Sequence, residues 1–256
     1  MRLELEMPPD QNTKAPRSGK KGKFAVIIPV YNHEHGIVGV VKKSLKLNLP
    51  VFVVDDGSTD SSYEKIMDYP GINLLRHAEN RGKGAALITG FTEAEKIADW
   101  AITIDADGQH DPQDALDMIE AIPENERPLV VGMRQDMVGN KAPWTSRFGR
   151  KFSNFWIVLS GGPRMADSQS GFRIYPLPEA LQLNIAARRY QFEVEILVKA
   201  GWEKRPVIEV PISVSYAPGK ERISHFRPFI DFLNNTGTFA RLITRRILIH
   251  PFTRKT

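Results

Sequence analysis

Residues 102–112 run Ile102-Thr-Ile-Asp105-Ala-Asp107-Gly-Gln-His-Asp-Pro112, an apolar stretch that ends abruptly in carboxylates. The apolar part predicts a buried strand, and Asp105 and Asp107 follow at its carboxyl end. Side chains two positions apart on an extended chain point the same way, so we expect these two carboxylates to share one face. This strand end is therefore the first candidate for a functional site.

Two carboxylates on one face repel each other unless a cation lies between them. Mg²⁺ and Mn²⁺ are hard divalent cations that prefer oxygen ligands. We therefore predict a metal site at Asp105 and Asp107, with Gln109 and His110 as further candidate ligands and a diphosphate completing the shell. The alternative is that both aspartates are turn residues before a helix that Asp111-Pro112 begins.

Apolar runs alternate with helical periodicity along most of the chain. Strands are predicted at residues 24–30, 51–54, 72–75, 101–104 and 129–131. Helices are predicted at residues 36–47, 61–68, 84–98, 112–122 and 141–161. Short apolar strands separated by helices predict an α/β fold whose mostly parallel sheet is covered by helices on both faces.

Polar residues follow four of these strands, where ligands of such sheets bind. Tyr31 after the first strand can stack on a planar base, and Asp55 or Asp56 after the second can accept hydrogen bonds from a base or ribose. After the third strand, Arg81-Gly-Lys-Gly84 precedes a helix and can contact a phosphate. The alternatives are a helix-capping turn for the aspartates and a solvated turn for the glycines.

The amino-acid composition excludes fewer classes of protein than the polar strand ends do. The chain has 256 residues, 41% of them hydrophobic, a net charge of +5 and no cysteine. The absence of cysteine excludes disulfides and thiolate metal sites. The moderate basic charge suits a nucleotide-sugar, a phosphate-bearing acceptor or an anionic membrane as well as nucleic acid.

Four motifs, in this order and spacing, resemble those of family 2 glycosyltransferases with the Rossmann-like GT-A fold. The resemblance covers about residues 24–216, and within it the chain is most similar to polyprenyl-phosphate (dolichyl-phosphate) glucosyl- and mannosyltransferases. Later segments at residues 167–173, 192–195 and 222–225 support that subgroup. The four motifs are Pro29-x-Tyr-Asn32, Val54-Asp-Asp-Gly-Ser-x-Asp60, Asn80-x-Gly-Lys-Gly-Ala85 and Asp105-Ala-Asp-x-Gln109.

The resemblance implies an inverting, metal-dependent transfer of a hexose from a nucleotide diphosphate sugar to a polyprenyl phosphate or another lipid acceptor, with UDP-glucose preferred and GDP-mannose possible as donor. Asp105, Asp107 and Gln109 would hold Mg²⁺ or Mn²⁺. The residues implied to contact the nucleotide sugar are Pro29, Tyr31, Glu34, Asp55, Asp56, Lys83 and Asp105.

The resemblance also implies residues that act on the transferred group. Arg222 would share the diphosphate charge with Lys83. Asp167 is the first candidate general base and Glu195 the second, although a lipid phosphate acceptor needs none. The alternative for both acids is helix capping or an ion pair with a nearby arginine, of which Arg173, Arg188 and Arg189 are the candidates.

We predict three regions: a disordered basic arm at residues 1–23, the GT-A domain at 24–224 and a basic amphipathic helical tail at 225–256. The apolar stripe of the tail is interrupted near residues 234–237. It suits an anionic membrane interface, or packing on the domain or a second subunit. No apolar run approaches the roughly 18 residues of a spanning helix and no signal segment precedes the domain, so we expect a cytoplasmic protein, peripheral at the inner face of the membrane.

Two other classes are compatible with parts of the sequence. A nucleotidyltransferase also places paired aspartates and a metal in an α/β crevice, but a glycine-rich phosphate loop is expected after its first strand. A basic module that binds nucleic acid or membrane would explain the charge but not four polar strand ends. For the leading hypothesis we expect no nucleic acid partner, and the sequence does not predict an oligomeric state.

Overall fold

The structure is a computed structural model that describes residues 21–134, 144–214 and 228–248, with side chains at 21–134, 152–214 and 237–248. Within these residues, seven strands form one sheet. The strands are β1 (Phe24–Val30), β2 (Val51–Asp55), β3 (Ile72–Arg76), β4 (Trp100–Thr103), β5 (Leu129–Arg134), β6 (Arg173–Pro176) and β7 (Val207–Ile212).

Helices cover the sheet and connect most of its strands. Several are short, and two later ones, of 16 and 21 residues, are the longest in the described chain. The helices are α1 (Ile37–Leu45), α2 (Lys83–Ala94), α3 (Asp114–Glu120), α4 (Trp144–Leu159), α5 (Glu179–Gln182), α6 (Phe192–Trp202) and α7 (Pro228–Leu248).

The strand order is β3-β2-β1-β4-β6-β5-β7. Strands β1, β2, β3 and β4 pair in parallel, so their carboxyl ends lie at the same edge of the sheet. Strand β6 is antiparallel to both β4 and β5. The mostly parallel α/β sheet predicted from the sequence is therefore confirmed, with β6 as its antiparallel member.

The apolar core lies on both faces of the sheet, and β1 is therefore buried along its whole length. Ala25 and Ile27 pack in one apolar cluster with α2 and α6, whereas Val26 and Ile28 pack in the other with α1 and α3. Each buried Ile or Val stabilises the fold by about 1.5–3 kcal/mol relative to an exposed side chain. A continuous apolar strand is thus required at the centre of the sheet.

The helix predicted at residues 61–68 is wrong, and consecutive turns occupy this stretch instead. The amide of Ile66 donates to the carbonyl of Tyr63, an i→i+3 bond, whereas Lys65 donates to Ser61 in an i→i+4 bond. Asp60 accepts the amide of Ser62 at 2.9 Å, a side-chain bond that competes with the helical pattern. The predicted strand at 101–104 lies one residue earlier, and β6 and β7 were not predicted.

Two regions outside the sheet were predicted from the sequence, a disordered arm at residues 1–23 and a helical tail at residues 225–256. Residues 1–20 lie outside the described part, but Lys21, within the predicted arm, donates from Nζ to the carbonyls of Ile119 and Glu120 at the end of α3. In the tail, a single helix, α7, runs through residues 234–237, where the sequence predicts a break in the apolar stripe. Of the described helices, none is both long and apolar enough to cross a bilayer.

Candidate functional site

The loops that follow β1 and β2 are joined by hydrogen bonds of Asn32. Asn32 has a φ of +53°, a conformation that asparagine tolerates better than most residues. Its Oδ1 accepts the amides of Thr59 and Asp60, and its own amide donates to Ser58 Oγ. These bonds hold two of the predicted polar strand ends together at one edge of the sheet.

The residues expected to contact the nucleoside lie in these two loops and at the ends of the strands before them. Pro29 is buried within β1, and Tyr31 is half-buried directly after that strand. Glu34 is also half-buried, and its carboxylate lies 3.6 Å from Lys65 Nζ. Asp55 is fully buried at the end of β2, where Arg76 Nε lies 3.1 Å from its Oδ2.

Asp56 holds the loop before α2 rather than facing solvent. Its Oδ1 accepts the amide of Arg81 at 3.0 Å and contacts His77 Nδ1 at 2.6 Å, and its Oδ2 accepts the amide of Gly82 at 2.7 Å. His77 is fixed from its other side by Thr89, at 2.9 Å from Nε2. These contacts place the first residue of α2, Lys83.

Lys83 is the central cation of the site. Its Nζ lies 2.6 Å from both Asp105 Oδ1 and Glu193 Oε1. Burial alone would lower the pKa of Lys83, but the charges and hydrogen bonds of Asp105 and Glu193 raise it well above its usual range. Lys83 is therefore a permanent positive charge at the carboxyl edge of the sheet.

Asp105 turns toward Lys83. Burial alone would raise the pKa of Asp105, but the charge and hydrogen bond of Lys83, with smaller contributions from His110 and His33, hold it below its usual value. The space around this pair is closed by Gly171, because a Cβ there would press on Asp105 Oδ2 and lie 2.6 Å from Lys83 Nζ. Only glycine fits this position without displacing the ion pair.

Asp107 has a different environment from Asp105. Strand β4 ends at Thr103, so the alternation that predicted two facing carboxylates does not extend to these residues. Asp107 is exposed, and its Oδ1 accepts the amide of half-buried Gln109 at 3.0 Å. Among the described residues, no three His, Asp or Glu side chains are grouped closely enough to hold a metal by themselves.

His110 supplies a buried nitrogen next to both aspartates. Burial lowers the pKa of His110, and Arg134 and Lys83 add to this, while Asp105 and Asp107 oppose it. Its Nδ1 has no hydrogen-bond partner within the described part of the chain. An unpartnered ring nitrogen beside an exposed carboxylate fits a divalent cation whose other ligands are phosphate oxygens, since Mg²⁺ is usually held by one or two carboxylates plus substrate.

Asp167 is buried and fully paired. Its Oδ2 lies 2.7 Å from Arg134 Nε and its Oδ1 lies 2.9 Å from Arg134 Nη2. Burial alone would raise the pKa of Asp167, but the hydrogen bonds and charge of Arg134 hold it below its usual value. The partner is thus Arg134 at the end of β5, not one of the three arginines considered from the sequence.

Glu195 is buried in α6 and makes four polar contacts. Its oxygens accept the amides of Ala186 and Ala187 and lie 2.9 Å from Lys199 Nζ and 2.7 Å from Arg241 Nη2. None of the three arginines expected as a partner takes this place. The remaining predicted catalytic residue, Arg222, lies outside the described residues.

Two residues of the site were not predicted from the sequence. Glu193 lies in the first turn of α6 and binds Lys83 from 110 positions away, and the only sequence signal was the acidic start of this helix. Arg134 lies at the end of β5, the one predicted strand whose carboxyl end was not considered. The same pattern, a polar residue after a predicted strand, also indicates Arg134.

The glycines before α2 fit a neighbouring loop. A Cβ at Gly82 would lie 2.5 Å from the carbonyl oxygen of Arg188, and one at Gly84 would lie 2.8 Å from that of Ala187. The same Arg188 oxygen accepts the amide of Ala85 at 2.9 Å. The glycines thus allow residues 186–189 to pack on the start of α2, a reason that differs from the phosphate approach expected from the sequence.

The chain is similar to proteins that transfer sugars. Residues 25–176 match the family described as Glycosyl transferase family 2. The chain is 33% identical over 213 residues to a UDP-N-acetylglucosamine–dolichyl-phosphate N-acetylglucosaminyltransferase of Methanococcus voltae, covering 75% of this chain and 85% of the relative. It is 31% identical over 244 residues to a dolichol-phosphate mannosyltransferase of Pyrococcus furiosus, covering 86% and 66%.

Solved structures share the fold. Glucosyl-3-phosphoglycerate synthase of Mycobacterium tuberculosis, in complex with Mn²⁺, UDP and glucosyl-3-phosphoglycerate, gives a TM-score of 0.61 at 19% identity, covering 90% of this chain and 80% of that one. A mannosyltransferase of Pyrobaculum calidifontis in complex with GDP-Man and Mn²⁺ gives a TM-score of 0.54 at 16% identity, covering 96% and 75%. At these identities the likeness shows the fold alone.

Proposed function

Because the chain belongs to glycosyl transferase family 2, we propose that it transfers a sugar from a nucleotide diphosphate to dolichyl phosphate or a related polyprenyl phosphate. The chain is a glycosyltransferase with the GT-A fold, as the sequence predicted. The nucleotidyltransferase and the non-catalytic module are thereby set aside. The proposal concerns the donor, the acceptor and the mechanism.

The observation that carries the proposal is the position of Lys83. It is a permanently charged cation at the edge where β1, β2 and β4 end, and two carboxylates, Asp105 and Glu193, fix its ammonium group. A cation that is already oriented stabilises negative charge on a leaving diphosphate without reorganising during the reaction. Lys83 therefore contacts the diphosphate, and Arg222 remains a proposed second cation.

A divalent cation would complete this site. The exposed carboxylate of Asp107 would hold it, together with Asp105, Gln109 and His110, and phosphate oxygens of the substrate would supply the remaining ligands. When bound, Mg²⁺ or Mn²⁺ would neutralise further charge on the diphosphate. The solved relatives that contain Mn²⁺ support a divalent ion but do not decide between the two metals for this chain.

We propose a UDP-sugar as donor, with Tyr31, Glu34 and the Asp55/Asp56 loop at the nucleoside. The support is the UDP-N-acetylglucosamine named for the Methanococcus voltae relative and the UDP in the Mycobacterium tuberculosis structure. Glucose and N-acetylglucosamine are the sugars this favours. The GDP-Man bound to the Pyrobaculum calidifontis enzyme keeps GDP-mannose as the alternative.

The relatives and the contacts of the two candidate bases support the proposed phosphate acceptor. Asp167 and Glu195 are both buried, and both oxygens of each are bound by cations or amides. Neither carboxylate is placed to remove a proton from a hydroxyl, whereas a phosphate oxygen is already anionic and needs no base. A phosphate acceptor is therefore favoured over a hydroxyl.

Direct attack of the acceptor phosphate on the anomeric carbon of the sugar accounts for the transfer. The bond from the acceptor phosphate oxygen to the anomeric carbon forms while the bond from that carbon to the diphosphate breaks, so the configuration at the carbon inverts. The electron pair of the broken bond leaves with the nucleoside diphosphate beside Lys83. Asp167 then orients Arg134, rather than acting as a base, in this mechanism.

Calorimetric titration with UDP and GDP, in Mn²⁺ and then in chelator, tests donor binding. We expect one nucleotide to bind in Mn²⁺, to bind more weakly in chelator, and to bind weakly to Lys83→Gln. Lys96→Gln is a matched control because Lys96 is an exposed lysine paired only locally with Glu93. Equal affinity of the Lys83 variant and wild-type protein would contradict the assignment.

We also propose where the enzyme meets its lipid acceptor. Phe155, Val158 and Leu159 of α4 and Ile247 and Leu248 of α7 are exposed large apolar side chains, and we call them the α4–α7 patch. Arg246 joins the two helices by donating from Nη1 to the carbonyl of Leu159 at 2.6 Å. An apolar patch beside exposed arginine suits an anionic membrane interface.

Vesicle sedimentation tests this contact. We expect wild-type protein to bind phosphatidylcholine vesicles that contain phosphatidylglycerol, and Phe155→Ser/Ile247→Ser to lose that binding. Met67→Ser/Ile97→Ser is the matched control, since Met67 and Ile97 are exposed apolar residues outside the patch. Undiminished vesicle binding by the patch variant would refute the contact. Light scattering that shows a dimer for wild-type protein and a monomer for the patch variant would also refute it, because the patch would then be a dimer interface.

A further inference from the structure

The carboxylate of Glu195 connects α6 with the segment just before it and with the C-terminal helix α7. Glu195 is in α6 and its side chain is 1% exposed. It accepts the amides of Ala186 and Ala187 at 3.1 and 2.9 Å. It also pairs with Lys199 of the same helix at 2.9 Å and with Arg241 of α7 at 2.7 Å. A buried carboxylate must be satisfied in this way, so removing one partner affects the others.

The segment fixed by Glu195 packs on the start of α2. The carbonyl oxygen of Arg188, one residue beyond the two amides, accepts the amide of Ala85 at 2.9 Å. Gly82 and Gly84 have no room for a Cβ against this segment. Residues 186–188 therefore hold the first turn of α2, which carries Lys83.

Glu193 gives α6 a second connection to the same lysine. It lies two residues before Glu195 and contacts Lys83 Nζ at 2.6 Å. The start of α6 thus contacts Lys83 directly through Glu193 and indirectly through Glu195 and residues 186–188. Arg241 is the residue by which the C-terminal helix reaches this arrangement.

We propose that Arg241 is a positioning residue for Lys83, so that α7 contributes to the diphosphate site although it contacts no part of it in the described residues. The ion pair with Glu195 holds residues 186–188, which hold the first turn of α2. Arg241 is 48% exposed, so its loss leaves the core packed and changes the site more than the fold. The consequence for nucleotide binding rests on the proposed function.

Hydrogen–deuterium exchange without nucleotide tests the linkage itself. In Arg241→Gln we expect faster exchange than in wild type at residues 84–88 and 186–188 and unchanged exchange in β1 and β2. Arg245→Gln is the matched control, because Arg245 is an exposed arginine of the same helix with no polar contact among the described residues. The proposal would be overturned if Arg241→Gln exchanged at the wild-type rate at residues 84–88 and 186–188, or if its exchange were faster throughout the protein.

Nucleotide affinity tests the consequence for the site. We expect Arg241→Gln to weaken UDP or GDP binding by about three- to tenfold, which lies within the range of coupling that side-chain networks carry. Arg241→Lys should recover part of the affinity, and Glu195→Gln/Arg241→Gln should bind no more weakly than Glu195→Gln alone. The proposal would be overturned if Arg245→Gln weakened nucleotide binding as much as Arg241→Gln does. It would also be overturned if the effects of the two substitutions added in Glu195→Gln/Arg241→Gln.

The two assays separate this inference from the proposed function. If wild-type protein binds neither nucleotide, the proposed function fails while the exchange result still decides whether Arg241 holds residues 186–188. If wild-type protein binds a nucleotide and Arg241→Gln binds it equally well, the proposed function stands and the positioning role is refuted.

Discussion

Replacing Gly171 by alanine should disable the enzyme while leaving it folded. The added Cβ would lie 2.6 Å from Lys83 Nζ and press on Asp105 Oδ2, whereas ordinary contacts begin at 3.4 Å. The ammonium group therefore has to move by nearly 1 Å. A displacement of about 1 Å in a positioned group can cost about 100-fold in rate, which corresponds to about 2.7 kcal/mol of transition-state free energy.

The cost of Gly171→Ala to stability should be much smaller. The atoms that the new methyl group meets are the ends of two side chains that can swing away, so we expect a loss of about 1 kcal/mol in the free energy of unfolding. Sugar transfer to dolichyl phosphate measures the rate, and urea unfolding measures the stability.

Gly39→Ala is the matched control for this substitution. Gly39 lies within α1, and a Cβ there would meet nothing within 4 Å. Alanine should stabilise the helix by about 0.5–1 kcal/mol and leave the rate unchanged. A transfer rate for Gly171→Ala within twofold of wild type would refute the view that the Lys83–Asp105 pair must keep its position.

Three further predictions concern separate parts of the site. Asp107→Ala should abolish metal-dependent nucleotide binding in calorimetry without changing the melting temperature, because its side chain is exposed; retained binding would contradict the metal assignment. Asp167→Asn should lower the free energy of unfolding by about 3 kcal/mol at neutral pH, because it removes the negative charge from a buried ion pair with Arg134. Since the folded-state pKa of Asp167 is held below its usual value of 3.8, this deficit should shrink as urea unfolding is repeated toward about pH 3. His77→Ala should cost about 1–3 kcal/mol in the same assay, because Asp56 loses a buried partner, and no loss would show that the amides alone hold it.

The centre of the fold was predictable because its signal is local. Seven consecutive apolar residues form β1 with the bounds predicted from the sequence. Parallel strands then bring their carboxyl ends to one edge by geometry alone, so the crevice followed without knowledge of any long-range contact. The polar strand ends could therefore be predicted as the site without knowing which residues pair with each other.

The partners within the crevice depend on contacts between distant residues, which the sequence does not specify. Lys83 and Glu193 are 110 positions apart, and Asp167 chooses Arg134 over three arginines that are closer in sequence. Strand β6 was missed because it begins with Arg173, which predicts exposure. In the structure this arginine is fully buried, and its guanidinium donates to three backbone carbonyls.

Transfer of radiolabelled sugar to dolichyl phosphate in anionic vesicles tests the proposed function most directly. UDP-glucose, UDP-N-acetylglucosamine and GDP-mannose would be compared as donors, each with Mn²⁺ and with chelator. We predict that one UDP-sugar labels the lipid, that chelator prevents labelling, and that Lys83→Gln reduces it strongly. Protein that binds a nucleotide yet labels the lipid from none of these donors would contradict the assignment of a polyprenyl-phosphate acceptor.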